Sequence, residues 1–246
     1  MNIQRDVIIL CGGLGTRLNS ISFGKQKCIL QVDGKPFLTH ILDWLADQNL
    51  FKRVFLATGH GSSEIIDIFE YSYKGITLIY CKEDEPLGTG GAVLNLVNKY
   101  PLTQKFYLVN GDTFSPFQIQ LLEQPFKNKG CSAVLHSVVV EDARRYGSLE
   151  ISTLGKIQKF KEKSVQATQT ITTINAGTYL FDQSIFKEYC EIKSTSKFSL
   201  ESNILSQLAA DDKLYTVTTN SEFIDIGIPE DYERSHGFIS NYLQKS

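Results

Sequence analysis

This 246-residue chain has no basic excess, no cysteine pairing pattern and no long apolar run, and each absence removes a class of function. Its formal net charge is −2. A dedicated nucleic-acid binder would normally carry a surplus of Lys and Arg, so any positive charge used on a phosphate must be local. The cysteines number five, an odd count, and stand at 11, 28, 81, 131 and 190 without a C-x-x-C pair. That excludes both a disulfide framework and a zinc cage and points to a reducing cytoplasm. No apolar stretch reaches the roughly 18 residues of a membrane helix. Gln4 and Arg5 precede the first apolar run, leaving no room for a signal peptide. No G-x-S-x-G elbow occurs, and His40, His60, His136 and His236 are too scattered for a metal site. They read as packing or surface residues. Linkers, low-complexity stretches and internal repeats are also missing, and no exposed patch marks an interface.

What is present begins at Val7-Ile8-Ile9-Leu10, an apolar run that feeds into Cys11-Gly12-Gly13-Leu14-Gly15-Thr16-Arg17. The run reads as a buried strand and the glycines as a turn where side chains would obstruct a ligand. Bare backbone N–H groups in such a turn cradle an anion, and Arg17 adds a fixed charge. Two better-known loops fit poorly. A P-loop needs Gly-Lys followed by Ser or Thr, absent here. A dinucleotide fingerprint has Gly or Ala where this chain has Leu18, although Asp33 lies at about the right distance, roughly 20 residues on. A purely structural turn is the bland reading.

Downstream, strand and helix signals alternate. Asp33-Gly34-Lys35-Pro36 is a turn, and Pro36 opens a helix with Phe37, Leu38, Ile41, Leu42 and Leu45 on one face. Val54–Ala57 and Ile76–Tyr80 read as core strands, with a helix between them capped by Ser62-Ser63-Glu64. A second glycine loop, Leu87–Gly91, precedes a helix through Val97. Phe106–Val109 is a buried strand ending in Asn110-Gly111-Asp112-Thr113, Pro116 starts a short helix, and Ala133–Val140 is a further strand. From Tyr146 the pattern changes to a hairpin around a Gly155 turn, a strand over Thr172–Phe181, helices at 185–190 and 200–210, and late strands at 214–217 and 223–226. Pro229 opens a last helix. The fold class is therefore α/β: a single three-layer α/β domain over 1–246 around a mixed, mainly parallel sheet.

Two carboxylates suggest chemistry. Asp112 follows a buried strand at its carboxyl end, where open α/β sheets bind ligands. It suits a cation, or equally an N-cap for the helix expected after Pro116. Asp225 sits in the apolar stretch Phe223–Gly227, where a carboxylate serves either a cation or a buried hydrogen bond. Two such groups can share a hard divalent ion with phosphate oxygens.

With these residues assembled, the chain resembles the sugar-1-phosphate nucleotidyltransferases. The family signature G-x-G-T-R-L with a later lysine is matched by Gly13-Leu14-Gly15-Thr16-Arg17-Leu18 and Lys27. The likeness continues through Leu87–Ala92, Gly111-Asp112, Tyr146-Gly147, Phe160-x-Glu162-Lys163, Asn175-Ala176-Gly177 and Asp225-Ile226-Gly227. It implies a Rossmann-like three-layer α/β/α sandwich around a mixed sheet, with a nucleotide-binding half at about 1–130 and a sugar-binding half at about 131–246. It further implies that Leu10, Gly12, Gly13, Gly15, Thr16 and Arg17 hold the triphosphate with Gly111, and that Gly88 and Thr89 read the base through their backbone. Arg17, Lys27 and Asp112 would be catalytic, and Asp112 and Asp225 would bind Mg2+. Gly147, Glu162, Lys163, Asn175 and Gly177 would hold the sugar phosphate. Among subtypes it looks most like the D-glycero-α-D-manno-heptose-1-phosphate guanylyltransferases, which join GMP from GTP to the sugar phosphate, release pyrophosphate, and make GDP-heptose for bacterial surface polysaccharides such as capsule. The alternative is another hexose 1-phosphate with UTP, dTTP or CTP. The resemblance therefore implies a cytoplasmic enzyme with small-molecule substrates, without nucleic-acid or membrane partners and without the hexapeptide repeats of an attached acyltransferase. Two departures stand out: Gln26 precedes Lys27 where the family has Pro, and Ser164 follows Lys163 where Pro is usual.

Overall fold

A computed structural model describes residues 4–13, 16–59, 61–128, 130–141, 146, 148–161, 171–188 and 197–245. In chain order the first elements are β1 (Arg5–Leu10), α1 (Asn19–Ser22), β2 (Gln31–Val32), β3 (Lys35–Pro36), α2 (Phe37–Asp47), β4 (Phe51–Thr58) and α3 (Ser62–Phe69). Next come β5 (Ser72–Tyr73), β6 (Ile76–Lys82), α4 (Gly88–Lys99), β7 (Lys105–Asn110), β8 (Thr113–Phe114) and β9 (Ala133–Val140). The remainder is β10 (Ser148–Ile151), β11 (Ile157–Lys161), β12 (Thr172–Asp182), α5 (Ser184–Glu188), α6 (Ser206–Ala210), β13 (Leu214–Thr219), β14 (Ile224–Asp225) and α7 (Pro229–Lys245). The chain forms two compact units, Met1–Pro86 with Val109–Pro116 and Glu222–Ser246, and Leu87–Leu108 with Phe117–Ser221.

In the first unit β4 pairs in parallel with both β1 and β6, and β5 pairs antiparallel with β6. Val7, Ile8, Ile9, Val54, Phe55 and Leu56 are fully buried, as expected where a parallel sheet is covered on both faces. Asp6 places a buried carboxylate in this sheet. Asp6 stands opposite Arg53 in register, and Arg53 Nε and Nη2 donate to its carboxylate at 2.9 and 2.7 Å. A bidentate pair of this kind is what makes a buried carboxylate tolerable. On α2, Leu38, Ile41, Leu42 and Leu45 are buried at helical spacing.

The second unit is built on β9, antiparallel to β12 and parallel to β13. The expected hairpin is β10–β11, turned at Gly155 with φ +76°, and β10 also pairs with β12. Phe106, Phe181 and Phe186 pack with ring centroids within 6.0 Å of one another.

Local details differ from the sequence reading for identifiable reasons. The cap of α3 is Gly61 at φ +83°, with no side-chain hydrogen bond, so Ser62 lies inside the helix and the capping box does not form. Pro116 opens no helix. Two 3-10 turns follow instead, at Ile119–Glu123 and Pro125–Lys127. The segment 200–210 starts as a π-helix (Leu200–Leu205) before α6. Helix α7 breaks at His236 and Gly237, where Asp33 accepts from Gly237 N at 2.9 Å and from Ser240 N and Oγ at 3.1 and 2.6 Å. Asp33, the residue at dinucleotide spacing, is thus the cap of the second half of α7. Among the described residues no helix is long and apolar enough to cross a membrane.

Candidate active site

The glycine loop leaves β1 at Leu10, whose carbonyl accepts from Gly111 N at 3.0 Å, while Cys11 N donates to Ala57 O at 2.8 Å. These bonds tie the loop to the ends of neighbouring strands. Its glycines do different work. A Cβ on Gly12 would lie 3.4 Å from Gly59 N, close against a second turn. A Cβ on Gly13 would meet nothing within 4 Å, and Gly13 carries no positive φ. Packing among the described residues therefore does not require glycine at 13. Gly15, with Leu14, lies outside the described residues. Thr16 begins a 3-10 turn with Arg17 and Leu18. Arg17 is exposed and Leu18 fully buried, so Leu18 anchors the turn in the core while the guanidinium is left in solvent.

Lys27 opens the next 3-10 turn, Lys27–Ile29. Its Nζ lies 2.8 Å from Asp112 Oδ2, with the two side chains only 14% and 32% exposed. Gln26 takes φ −68° and ψ 141°, the torsion a proline would impose, so the departure from the family leaves the backbone entering Lys27 unchanged. Its buried side chain lies over the Gly61 turn, and its Oε1 accepts from the Cys28 thiol at 3.9 Å. Lys25 points elsewhere, lining a cavity of about 470 Å³ with Ile21, Glu64, Asp67 and Tyr232.

Asp112 and Asp225 come together through strand pairing. Asp225 stands opposite Thr113 in the antiparallel β8–β14 pair, and Ile226 N donates to the Asp112 carbonyl at 2.9 Å. Gly227 N donates to Asp225 Oδ1 at 2.6 Å, and a Cβ there would itself lie 2.6 Å from that oxygen. Only glycine lets the carboxylate be oriented this way, so Asp225 makes the hydrogen bond to the chain that one of its two readings expected. Two hard carboxylates, Asp112 just ahead of β8 and Asp225 on β14, one already facing an ammonium, are of the type that suits a divalent cation. Among the described residues no cluster of three or more His, Cys, Asp or Glu could hold a metal, so substrate oxygens and water would complete the shell.

Gly111 is glycine for packing: a Cβ would lie 2.6 Å from Leu10 O and 3.2 Å from Cys11 Sγ. The Cys11 thiol is hydrogen-bonded to Cys28 and buried, and these effects hold its pKa well above the ordinary value. It stays protonated and serves packing.

The second glycine loop forms the first turn of α4, with Gly88 at φ +73°. Thr89 Oγ1 donates to Glu201 Oε2 at 3.0 Å and accepts from Leu200 N at 2.9 Å. Asn175 and Gly177 lie where β12 shifts register against β9, and Gly177 takes φ +74°. Asn175 Oδ1 accepts from Gly177 N at 3.0 Å and its Nδ2 donates to the Tyr179 hydroxyl at 2.7 Å. Gly147, Glu162, Lys163 and Ser164 lie outside the described residues. Of the histidines, His40 bonds the Val32 carbonyl, His236 faces Asp33, and His60 is outside the described residues. His136 is stacked on Phe117 and its pKa is lowered by burial to about 3. Glu201 escaped the sequence reading, because Ser199-Leu200-Glu201 ahead of an apolar run looks like ordinary helix-start chemistry.

The model of the family described as nucleotidyl transferase matches residues 6–241. The chain belongs to that family. Like its other members, this nucleotidyltransferase is an enzyme. It is 32% identical over 238 residues to a D-glycero-α-D-manno-heptose 1-phosphate guanylyltransferase of Aneurinibacillus thermoaerophilus, covering 97% of this chain and 100% of that one. It is 35% identical over 234 residues to the enzyme of the same description from Campylobacter jejuni, covering 95% and 99%. Among solved structures it is similar to HddC from Yersinia pseudotuberculosis complexed with GMP-PN, with TM-score 0.81, 34% identity and coverage of 96% and 99%. The nucleotidyltransferase fold, Rossmann-like with a mixed sheet, is therefore the fold of this chain.

Proposed function

We propose that this nucleotidyltransferase transfers GMP from GTP to D-glycero-α-D-manno-heptose 1-phosphate, giving GDP-heptose and pyrophosphate, in the cytoplasm and with Mg2+. The observation that carries the reading is the match, at 32% and 35% identity and nearly end to end in both directions, to two heptose 1-phosphate guanylyltransferases. The guanine assignment is supported by HddC, 34% identical and complexed with GMP-PN.

The reaction is an exchange at the α-phosphorus: a sugar-phosphate oxygen forms the new P–O bond, and the bond to the bridging oxygen of pyrophosphate breaks. The nucleophile is already ionised at neutral pH, so no general base is needed and positioning with electrostatics suffices. Gly12, Gly13, Gly15 and Thr16 cradle the phosphates with backbone N–H groups. The open space beside Gly13 supports this, because a ligand rather than the protein then requires the missing side chain. Arg17, exposed on the turn, meets the charge that accumulates on pyrophosphate. Lys27 lends its ammonium to the transferring phosphoryl group, leaving Asp112 as it does so. Asp112 and Asp225 hold Mg2+, which neutralises phosphate charge when bound. Gly147, Glu162, Lys163, Asn175 and Gly177 form the sugar-phosphate pocket.

A matrix of five nucleoside triphosphates against a panel of sugar 1-phosphates, scored by pyrophosphate release with Mg2+ present, tests this. The expected result is turnover in the GTP and heptose 1-phosphate cell above all others. Turnover with UTP, dTTP or CTP and a different hexose instead would replace the substrates, and no turnover anywhere would overturn the assignment.

A further inference from the structure

The second glycine loop is held by a segment far along the chain. Phe198 N donates to the Leu87 carbonyl at 3.0 Å, and Gly90 N donates to the Phe198 carbonyl at 3.1 Å, so residues 198–200 run along the loop. A Cβ on Gly88 would lie 2.6 Å from Phe198 O, and one on Gly90 would lie 2.3 Å from the Phe198 ring. Both glycines are thus demanded by this contact. At its centre is the Thr89 hydroxyl, which accepts from Leu200 N and donates to Glu201 Oε2. The same carboxylate oxygen accepts from Ser199 Oγ at 2.8 Å. Thr89 has spent its single O–H donor inside the protein, so its side chain has no proton to offer a base. Recognition by this loop falls to its backbone, and backbone recognition works only if the backbone is held still.

We propose that Glu201 is the positioning residue of the base-reading loop: its carboxylate locks Thr89 and thereby fixes the Gly88–Gly90 peptide groups against the nucleobase. The proposal rests on the reading of Gly88 and Thr89 as nucleobase contacts. Glu201 stands in the first turn of the π-helix Leu200–Leu205, where the helix field favours an acidic side chain. A charged acceptor makes a stronger and more directional bond to the Thr89 hydroxyl than a neutral one would. Glu201 needs no contact with substrate to do this. Its influence is on how sharply the loop distinguishes one base edge from another.

The test is steady-state kinetics of the full chain with GTP, ITP and UTP at saturating sugar 1-phosphate, repeated with the sugar 1-phosphate varied. In Glu201→Ala the Thr89 hydroxyl loses its acceptor while the two backbone bonds to Phe198 remain. KM for GTP should rise, and GTP preference over ITP and UTP should fall, each about tenfold, the scale of one hydrogen bond to a charged group. KM for the sugar 1-phosphate should stay within about twofold, since that pocket is not touched. Glu201→Gln keeps an acceptor oxygen and should recover most of the preference. Thr89→Val should reproduce the Glu201→Ala defect, and the double variant should be no worse than either single one, as for two partners in one bond. The proposal is overturned if Glu201→Ala lowers kcat alone with base preference intact, if both KM values rise together, or if Glu201→Gln does not recover. A wild-type enzyme that uses GTP, ITP and UTP equally overturns instead the loop's role as a base reader, a result distinguishable because it appears before any substitution.

Discussion

Gly111→Ala isolates the placement of Asp112 from its charge. The added Cβ would lie 2.6 Å from Leu10 O and 3.2 Å from both Leu10 C and Cys11 Sγ. Carbon and oxygen cannot sit that close, and relief needs a separation of about 0.8 Å. Neither side yields easily: Leu10 O is backbone at the end of a buried strand, and it already accepts from Gly111 N at 3.0 Å. Asp112 is the next residue, so its carboxylate moves by a comparable amount away from Lys27, now 2.8 Å distant, and from Asp225 on the neighbouring strand. Overpacking of this kind costs about 1–3 kcal/mol, which in a chain of this size lowers Tm by about 2–10 °C. A misplacement approaching 1 Å at reacting groups lowers kcat/KM by about 100-fold. Thermal melts and pyrophosphate release on the same preparation measure both. A variant with wild-type Tm and a rate within about threefold would refute the packing account of this glycine.

Gly13→Ala is the contrasting case: with nothing within 4 Å of the new Cβ, Tm should not change, while kcat/KM falls about tenfold or more because the methyl meets the phosphates. A stable variant with full activity would remove Gly13 from the cradle. Asp112→Asn and Asp225→Asn should each lower kcat by about 1,000-fold with the fold intact by circular dichroism, and raise the Mg2+ concentration needed for half-maximal rate. Near-normal rates would exclude that carboxylate from the metal site. Asp33→Ala should lose about 1 kcal/mol of stability as the cap of α7 is removed. Burial raises the Asp33 pKa, but hydrogen bonds from Ser240 and Gly237 outweigh it and hold the carboxyl below its ordinary value. The charged form is therefore the stabilising one. Its contribution is complete above the ordinary carboxylate pKa and fades as pH falls through the lower folded-state value. The Tm gap between wild type and Asp33→Ala should be constant near pH 7 and close in acid, and a gap that widens in acid would contradict the cap assignment.

The amino-acid sequence by itself determined the architecture and supplied the candidates for the site. Val7–Leu10 and Val54–Ala57 are continuous apolar runs, which only strands buried on both faces require, and α2 shows its apolar stripe openly. These signals are local, and local periodicity survives in one dimension. The glycine loop, Lys27, Asp112 and Asp225 stood out in the sequence as candidate residues by type and by place along the chain. Local chemistry misled where two caps competed: Ser62 resembles a cap, yet Gly61 alone could adopt the left-handed turn that starts α3. Tertiary structure decided which residues meet. Asp225 stands beside Thr113, next to Asp112, because β14 pairs with β8, and Lys27 meets Asp112 across 85 residues of chain. Gly13 and Gly111 look alike in the sequence, yet one faces open space and the other a carbonyl oxygen. Glu201 showed only the look of an ordinary helix start. Its partner Thr89 lies 112 residues away, and a hydrogen bond at that separation leaves no periodicity or spacing for a sequence to display.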